Sequence, residues 1–383
     1  MSHRQSPSPV LSSIPAEVRC ARDYEVLARR FIAEPAYEYI AGGSGEGITL
    51  AANFAASASL TVCPRLLRDV TAGHTRLSLA GRGFSHPILL APVAFQALVH
   101  PGAEVETARA AAATDSCIVS STLSSCTLEE IARAAGSNKW FQLYFQAQRD
   151  VTADLLRRAQ VAGYGAIVAT LDAPIQVPSL RSQRAGFQMP DHCVAANLSE
   201  YAPAEPVRPE PGLSRIFQGL MRSAPTWRDV DWLLAQTSLP VWVKGVLHPQ
   251  DALDLKARGV AGLIVSNHGG RALDGAPASL HALPQIRAAV GDDLPVLFDS
   301  GIRSGTDIFK ALALGADAVL IGRLQMYALS VAGALGVAHM IKLLREELEI
   351  CMALAGCTTL ADICQATVLP QNTTIGTSNA DRH

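Results

Sequence analysis

Gly262-Leu263-Ile264-Val265-Ser266-Asn267-His268-Gly269-Gly270-Arg271 is the stretch from which the fold is read. Its first four residues are a short apolar run of the kind that fills a fully buried strand. Polar chemistry follows at once: a base, His268, and a fixed cation, Arg271, three residues apart with two glycines between them. Glycine takes positive φ and lets the backbone approach a flat ligand without a side-chain clash. A strand whose C-terminal end carries the chemistry is the mark of parallel α/β architecture.

The same unit recurs outward from this stretch. Apolar runs at Ile88–Ala91, Cys117–Ser120, Trp140–Tyr144, Ala166–Leu171, Val241–Lys244, Leu263–Ser266, Val296–Asp299 and Ala318–Ile321 make eight candidate strands. Amphipathic segments follow most of them, for instance over 103–114, 127–135 and 150–162. Eight strand–helix units predict an α/β chain closed as a (β/α)8 TIM barrel, with its site at the strands' C-terminal ends. An open doubly wound sheet is the alternative. A helical extension precedes the barrel: Tyr24, Leu27 and Phe31 share one face, and Pro35 opens a second helix over 36–40. The glycine cluster at 42–47 reads as a helix C-cap and loop, since its spacing is not that of a dinucleotide fingerprint. Between the fourth and fifth strands lies a proline-rich stretch of about fifty residues, Pro174 to Pro225, too long for an ordinary connection and expected to form a mobile cover over the site. Residues 1–20 read as a disordered lead-in, 21–370 as one domain and 371–383 as a flexible tail.

Composition narrows the function. A formal net charge of −2 gives no generic attraction to nucleic acid or anionic membrane. No apolar run looks long enough to cross a bilayer, and the N-terminus lacks the apolar region of a secretory signal. The eight cysteines show neither C-x-x-C pairs nor zinc spacing, so no metal is expected and a cytoplasmic, reducing location is.

Pro92-Val93-Ala94 end the first strand, and polar residues stand at the ends of the others: Ser121, Gln142 and Tyr144, Thr170 and Asp172, Lys244, Ser266 and His268, Asp299, and Gly322-Arg323. Glycines and arginines after the seventh and eighth strands (Asp299-Ser300-Gly301-Ile302-Arg303 and Gly322-Arg323) form the usual phosphate site of such barrels. The ligand therefore carries a phosphate tail, with its reactive ring toward Lys244, Gln142, Thr170 and Ser121.

The motifs AYEYIAGG (36–43), APVAFQ (91–96), QLY (142–144), VKGV (243–246), SNHGGRALDGAPA (266–278), DSGIRSGTDIFKALALGA (299–316) and IGR (321–323) together resemble the FMN-dependent α-hydroxy-acid oxidases and dehydrogenases. The resemblance implies an FMN-binding domain and oxidation of an (S)-2-hydroxy acid to the 2-oxo acid. It assigns FMN contacts to Pro92, Val93, Ala94, Ser121, Gln142, Thr170, Lys244, Ser266, Asp299, Ser300, Gly301, Ile302, Arg303, Gly322 and Arg323. It makes His268 the base, Asp172 its orienting carboxylate, Tyr144 a neighbour of the reacting hydroxyl, and Arg271 with Tyr39 the clamp on the substrate carboxylate. Electrons pass to O₂ or to a quinone or protein acceptor, and a homotetramer is expected. Two alternatives share the fold: a flavin-dependent barrel isomerase, which does not need the His268 and Arg271 pair, and a flavin-binding homologue without turnover.

The sequence departs from the family pattern twice. A second substrate arginine is common shortly after the fourth strand, but ungapped counting puts Ser179 there, with Arg181 two residues on as a candidate replacement. Leu123 stands where glycolate-type members carry a tryptophan, which predicts a pocket open to bulkier substrates.

Overall fold

The computed structural model describes residues 7–79, 81–203 and 212–370. Its centre is a closed parallel barrel of eight strands: β1 (Ile88–Leu90), β2 (Ile118–Ser120), β3 (Lys139–Leu143), β4 (Ile167–Thr170), β5 (Val241–Val246), β6 (Gly262–Val265), β7 (Val296–Phe298) and β8 (Ala318–Ile321). Neighbours pair in sequence order and β8 returns to β1 through Leu320↔Leu89. The helices that follow the strands are α1 (Ala103–Ala113), α2 (Leu128–Ala134), α3 (Arg149–Val161), α4 (Trp227–Gln236), α5 (Pro249–Ala257), α6 (Ser279–Val290), α7 (Gly305–Ala313) and α8 (Arg323–Ala355). Thr127 with Glu130, Thr226 with Asp229 and Ser304 with Asp307 form capping boxes that start α2, α4 and α7.

Strand periodicity sorts the side chains. Leu89, Val119, Trp140, Val168, Trp242, Ile264, Leu297 and Leu320 belong to one buried cluster inside the barrel. The alternate residues, such as Leu90, Phe141, Ile167, Val243 and Val265, pack outward against the helices. Trp140 and Trp242 stack inside at 4.9 Å between ring centroids. Gly262 makes room for them, since a Cβ there would lie 2.2 Å from the Trp242 ring. A short antiparallel hairpin, Leu77–Leu79 with Arg82–Phe84, adds Leu79 and Phe84 to this cluster. A second small pair joins Leu60–Val62 to Val368–Pro370. Neither was expected, because Leu77–Leu79, Arg82–Phe84, Leu60–Val62 and Val368–Pro370 form no continuous apolar run of the kind that marks the buried barrel strands.

The N-terminal part differs from the expected disorder where it is described. Ser8 N donates to Arg30 O and Leu11 N to Val331 O, both at 2.8 Å, and Val18 is buried, so residues 7–20 lie along the domain. Residues 1–6 and the tail from 371 lie outside the described residues, as do Pro206, Pro209 and Pro211 of the long connection. Helix α8 corrects another expectation: it is long and apolar enough to cross a membrane, yet 67% of its most apolar window is buried in the domain. Ala332 (φ −145°) and Gly333 (φ 55°) also break it into two helices.

The extension is latched to the loop after β6. The Asp274 carboxylate accepts from the amides of Glu46, Gly47 and Thr49 and so caps the helix Ile48–Ala58. The side-chain amides of Asn53 and Asn267 bond each other reciprocally at 2.9 and 2.7 Å. Ser44 N donates to Gly270 O at 2.8 Å.

Candidate active site

The site is the next layer of the barrel's alternation. Two residues beyond each inward apolar side chain stand Ala91, Ser121, Gln142, Thr170, Lys244, Ser266, Asp299 and Gly322. Apolar side chains fill the barrel below them. This layer lies at the strands' C-terminal ends, and above it opens a cavity of about 530 Å³.

At its core is a buried ion network. Lys244 Nζ lies 3.1 Å from Asp299 Oδ2 and donates to Ser266 Oγ at 2.7 Å. Burial alone would push the Lys244 ammonium down, but Asp299 and then Asp172 outweigh it and hold the cation. His268 Nδ1 lies 2.8 Å from Asp172 Oδ1. Burial would likewise push the Asp172 carboxyl up, and the charges of His268 and Lys244 together bring it below its ordinary value. The bulge at Gly245 creates the space for Asp172: φ is 101°, and a Cβ there would meet the Asp172 side chain at 2.4 Å. Tyr144 has its phenol pushed well up, first by burial and then by Asp172, so it stays a hydrogen-bond donor.

Arg271 reaches back across the loop. Its Nη1 donates to Tyr39 O at 2.7 Å and Gly42 O at 3.2 Å, and the guanidinium sits 4.7 Å from the Tyr39 ring centroid. Tyr39 stacks on Phe187 at 4.3 Å.

The residues fit FMN. Gln142 Oε1 accepts from Ser121 Oγ and Thr122 N, which leaves its Nε2 buried without a partner among the described residues; Thr170 Oγ1 is equally orphaned. Buried polar atoms of this kind at the cavity suit a ligand's donors and acceptors. Of the five guanidinium N–H donors, Arg323 spends three on Ile40 O, Gly269 O and Gly42 O at 2.7–2.8 Å. Burial, reinforced by Arg271, pushes Arg323 down to about 9. A phosphate beside its two remaining N–H groups would offset that burial and stabilise the cation. Arg303 borders the cavity but gives its Nε to Glu25 at 2.8 Å.

Most predicted site residues line this one cavity: Tyr39, Pro92, Val93, Ala94, Ser121, Tyr144, Thr170, Lys244, His268, Arg271, Asp299 to Arg303, Gly322 and Arg323. Gln142, Asp172 and Ser266 support the wall instead, through Ser121, His268 and Lys244 respectively. Arg181 is not brought in. It pairs with Glu38 on the outer side of the extension, with 45% of its side chain exposed. Its position two residues past Ser179 sets this: Ser179 is the N-cap of a short helix, Leu180–Arg184, and Arg181 lies on the face toward Glu38. Sequence reading missed Phe145, Leu171, Pro174, Gln176, Ser223, Ala224 and Pro225, all on the wall. Phe145 and Leu171 adjoin predicted residues; the other five come from the long connection, which thereby contributes part of the cavity wall.

Residues 28–370 match the family described as FMN-dependent dehydrogenase. The chain is 63% identical over 357 residues to the L-lactate oxidase of Alicycliphilus denitrificans, covering 93% of this chain and 98% of that protein. It is 44% identical over 340 residues to the 4-hydroxymandelate oxidase of Amycolatopsis orientalis, covering 88% and 94%. A crystal structure of mandelate oxidase with benzoyl-formic acid superposes with a TM-score of 0.81 at 42% identity, covering 89% and 96%. Barrel, orphaned ring contacts, phosphate-seeking arginine and these relatives agree: the chain belongs to the FMN-dependent dehydrogenase family.

Proposed function

We propose that this protein oxidises (S)-2-hydroxy acids to 2-oxo acids with FMN and passes the electrons to O₂. The observation that carries the reading is the His268–Asp172 pair at 2.8 Å on the same cavity as Arg271 and Tyr39. A base and a carboxylate clamp on one wall suit a substrate bearing a hydroxyl next to a carboxylate.

With Nδ1 donating to Asp172, His268 keeps Nε2 free to take the proton of the substrate hydroxyl, and the carboxylate stabilises the imidazolium that forms. Arg271 has Nε and Nη2 left for the substrate carboxylate, because its Nη1 is anchored on Tyr39 O and Gly42 O. The protonated Tyr144 hydroxyl supports the reacting oxygen. FMN, when bound, supplies the two-electron acceptor for the Cα–H bond that breaks. Gln142, Thr170, Lys244 and Arg323 would hold it, and the cation of Lys244 favours the reduced ring. Gln176 and Ser223–Pro225 complete the cavity wall from the long connection. O₂ as acceptor rests on relatives named as oxidases. The family resemblance supports a homotetramer, and the cysteine usage supports a cytoplasmic location.

The test is a panel of 2-hydroxy acids, both enantiomers, with flavin bleaching under anaerobic conditions and O₂ uptake and dye reduction measured in parallel. Bleaching by (S)-acids with O₂ uptake is expected. Flavin that stays oxidised with every acid overturns the activity, and dye reduction without O₂ uptake overturns the acceptor.

A further inference from the structure

The cavity wall contains a backbone conformation that its residue type disfavours. Ser300 has φ 91°, in the region where side chains other than glycine are strained. Such strain persists where the surroundings over-determine it. Here the hydroxyl does so: Ser300 Oγ accepts from Gly269 N at 3.0 Å and donates to Asp299 Oδ1 at 2.8 Å. Asp299 holds Lys244 through its other oxygen at 3.1 Å. Lys244 donates to Ser266 Oγ, which also accepts from His268 N at 3.0 Å. The bonds close a ring. Two adjacent amides of the catalytic loop, His268 and Gly269, are tied by two serine hydroxyls to the two ends of one buried ion pair. His268 itself has φ 59°, so a second strained residue is held by the same ring.

We propose that Ser300 is a positioning residue for the base. Its hydroxyl grips the Gly269 amide and keeps His268 in the left-handed conformation that brings its imidazole onto Asp172. The inference rests on the reading of His268 as the base. Glycine would fit the backbone at 300 with less strain, so a serine there points to its hydroxyl as the feature in use. Ser266 grips the other amide but also carries Lys244, which makes Ser300 the cleaner place to cut the ring. Arg271 is anchored separately on Tyr39 O and Gly42 O, so the carboxylate clamp does not depend on this bond.

Ser300→Gly and Ser300→Ala in the FMN-loaded enzyme test the idea. Glycine removes both hydroxyl and strain, and alanine removes the hydroxyl alone. Both should reduce flavin at least about tenfold more slowly at saturating substrate, since small misplacements of a reacting group cost rate steeply. KM should stay within about twofold, and Ser300→Gly should melt no lower than wild type. Wild-type reduction rates in Ser300→Gly overturn the proposal, whatever alanine does, as does a rise in KM without loss of limiting rate. One readout is independent of turnover: the downfield proton resonance of the His268–Asp172 hydrogen bond should weaken or broaden in Ser300→Gly. A wild type that no hydroxy acid reduces refutes the reaction, while this resonance still decides the positioning role; a resonance unchanged in Ser300→Gly overturns it.

Discussion

Replacing Asp172 by Asn keeps the volume and removes one charge, which isolates what the carboxylate does for the base. Asp172 Oδ1 lies 2.8 Å from His268 Nδ1, its Oδ2 is buried without a partner among the described residues, and only 7% of its side chain is exposed. As the imidazole takes up the substrate's proton, it becomes a cation whose nearest counter-charge is this carboxylate. A hydrogen bond to a charged group contributes about 1.5–3 kcal/mol, which is roughly 10- to 150-fold in rate at 1.36 kcal/mol per decade. The asparagine amide can also donate to Nδ1, which selects the tautomer with a proton on Nε2 and adds to the loss. Lys244 keeps Asp299 at 3.1 Å, so that ion pair survives and FMN should be retained. Anaerobic stopped-flow mixing with an (S)-2-hydroxy acid, followed in the visible flavin band, reads the limiting rate of reduction directly. We expect a fall within that range or beyond it, with little change in KM, since Arg271 and Tyr39 hold the carboxylate. A limiting rate within about threefold of wild type would refute the electrostatic role assigned to Asp172.

Arg323→Ala should release FMN on dialysis and also lower Tm, because the buried guanidinium bonds Ile40 O, Gly42 O and Gly269 O and so ties the extension to the catalytic loop. Stoichiometric flavin retained through dialysis would show that the phosphate lies elsewhere. Substrate choice should favour bulky apolar side chains over glycolate: Ser179 supplies no second cation, Arg181 is committed to Glu38, and Leu123, Phe145, Leu171, Pro174, Ala224 and Pro225 give the cavity an apolar wall. Burying an aromatic side chain there contributes roughly 1.5–3 kcal/mol, and a higher kcat/KM for glycolate than for every bulky acid would contradict it.

The barrel and the polar layer above it were legible in the chain because both follow from a period of two. Each apolar run that places Leu89, Trp140 or Trp242 inside the barrel also places the residue two further on, Ala91, Gln142 or Lys244, at its mouth. Local order therefore carries the cavity's inventory, and the spacing of His268 and Arg271 carries its chemistry. Contacts between distant segments have no such local signal. Nothing near Asp172 announces that the bulge at Gly245 opens its space, and nothing near Ser300 announces the amide of Gly269. Arg181 shows the limit most plainly: counting along the chain left it able to turn inward, and only the docking of its helix against Glu38 decided that it points away. Side-chain direction at such positions depends on which surface the segment packs against, and that is settled by the closed tertiary structure rather than by neighbours in sequence.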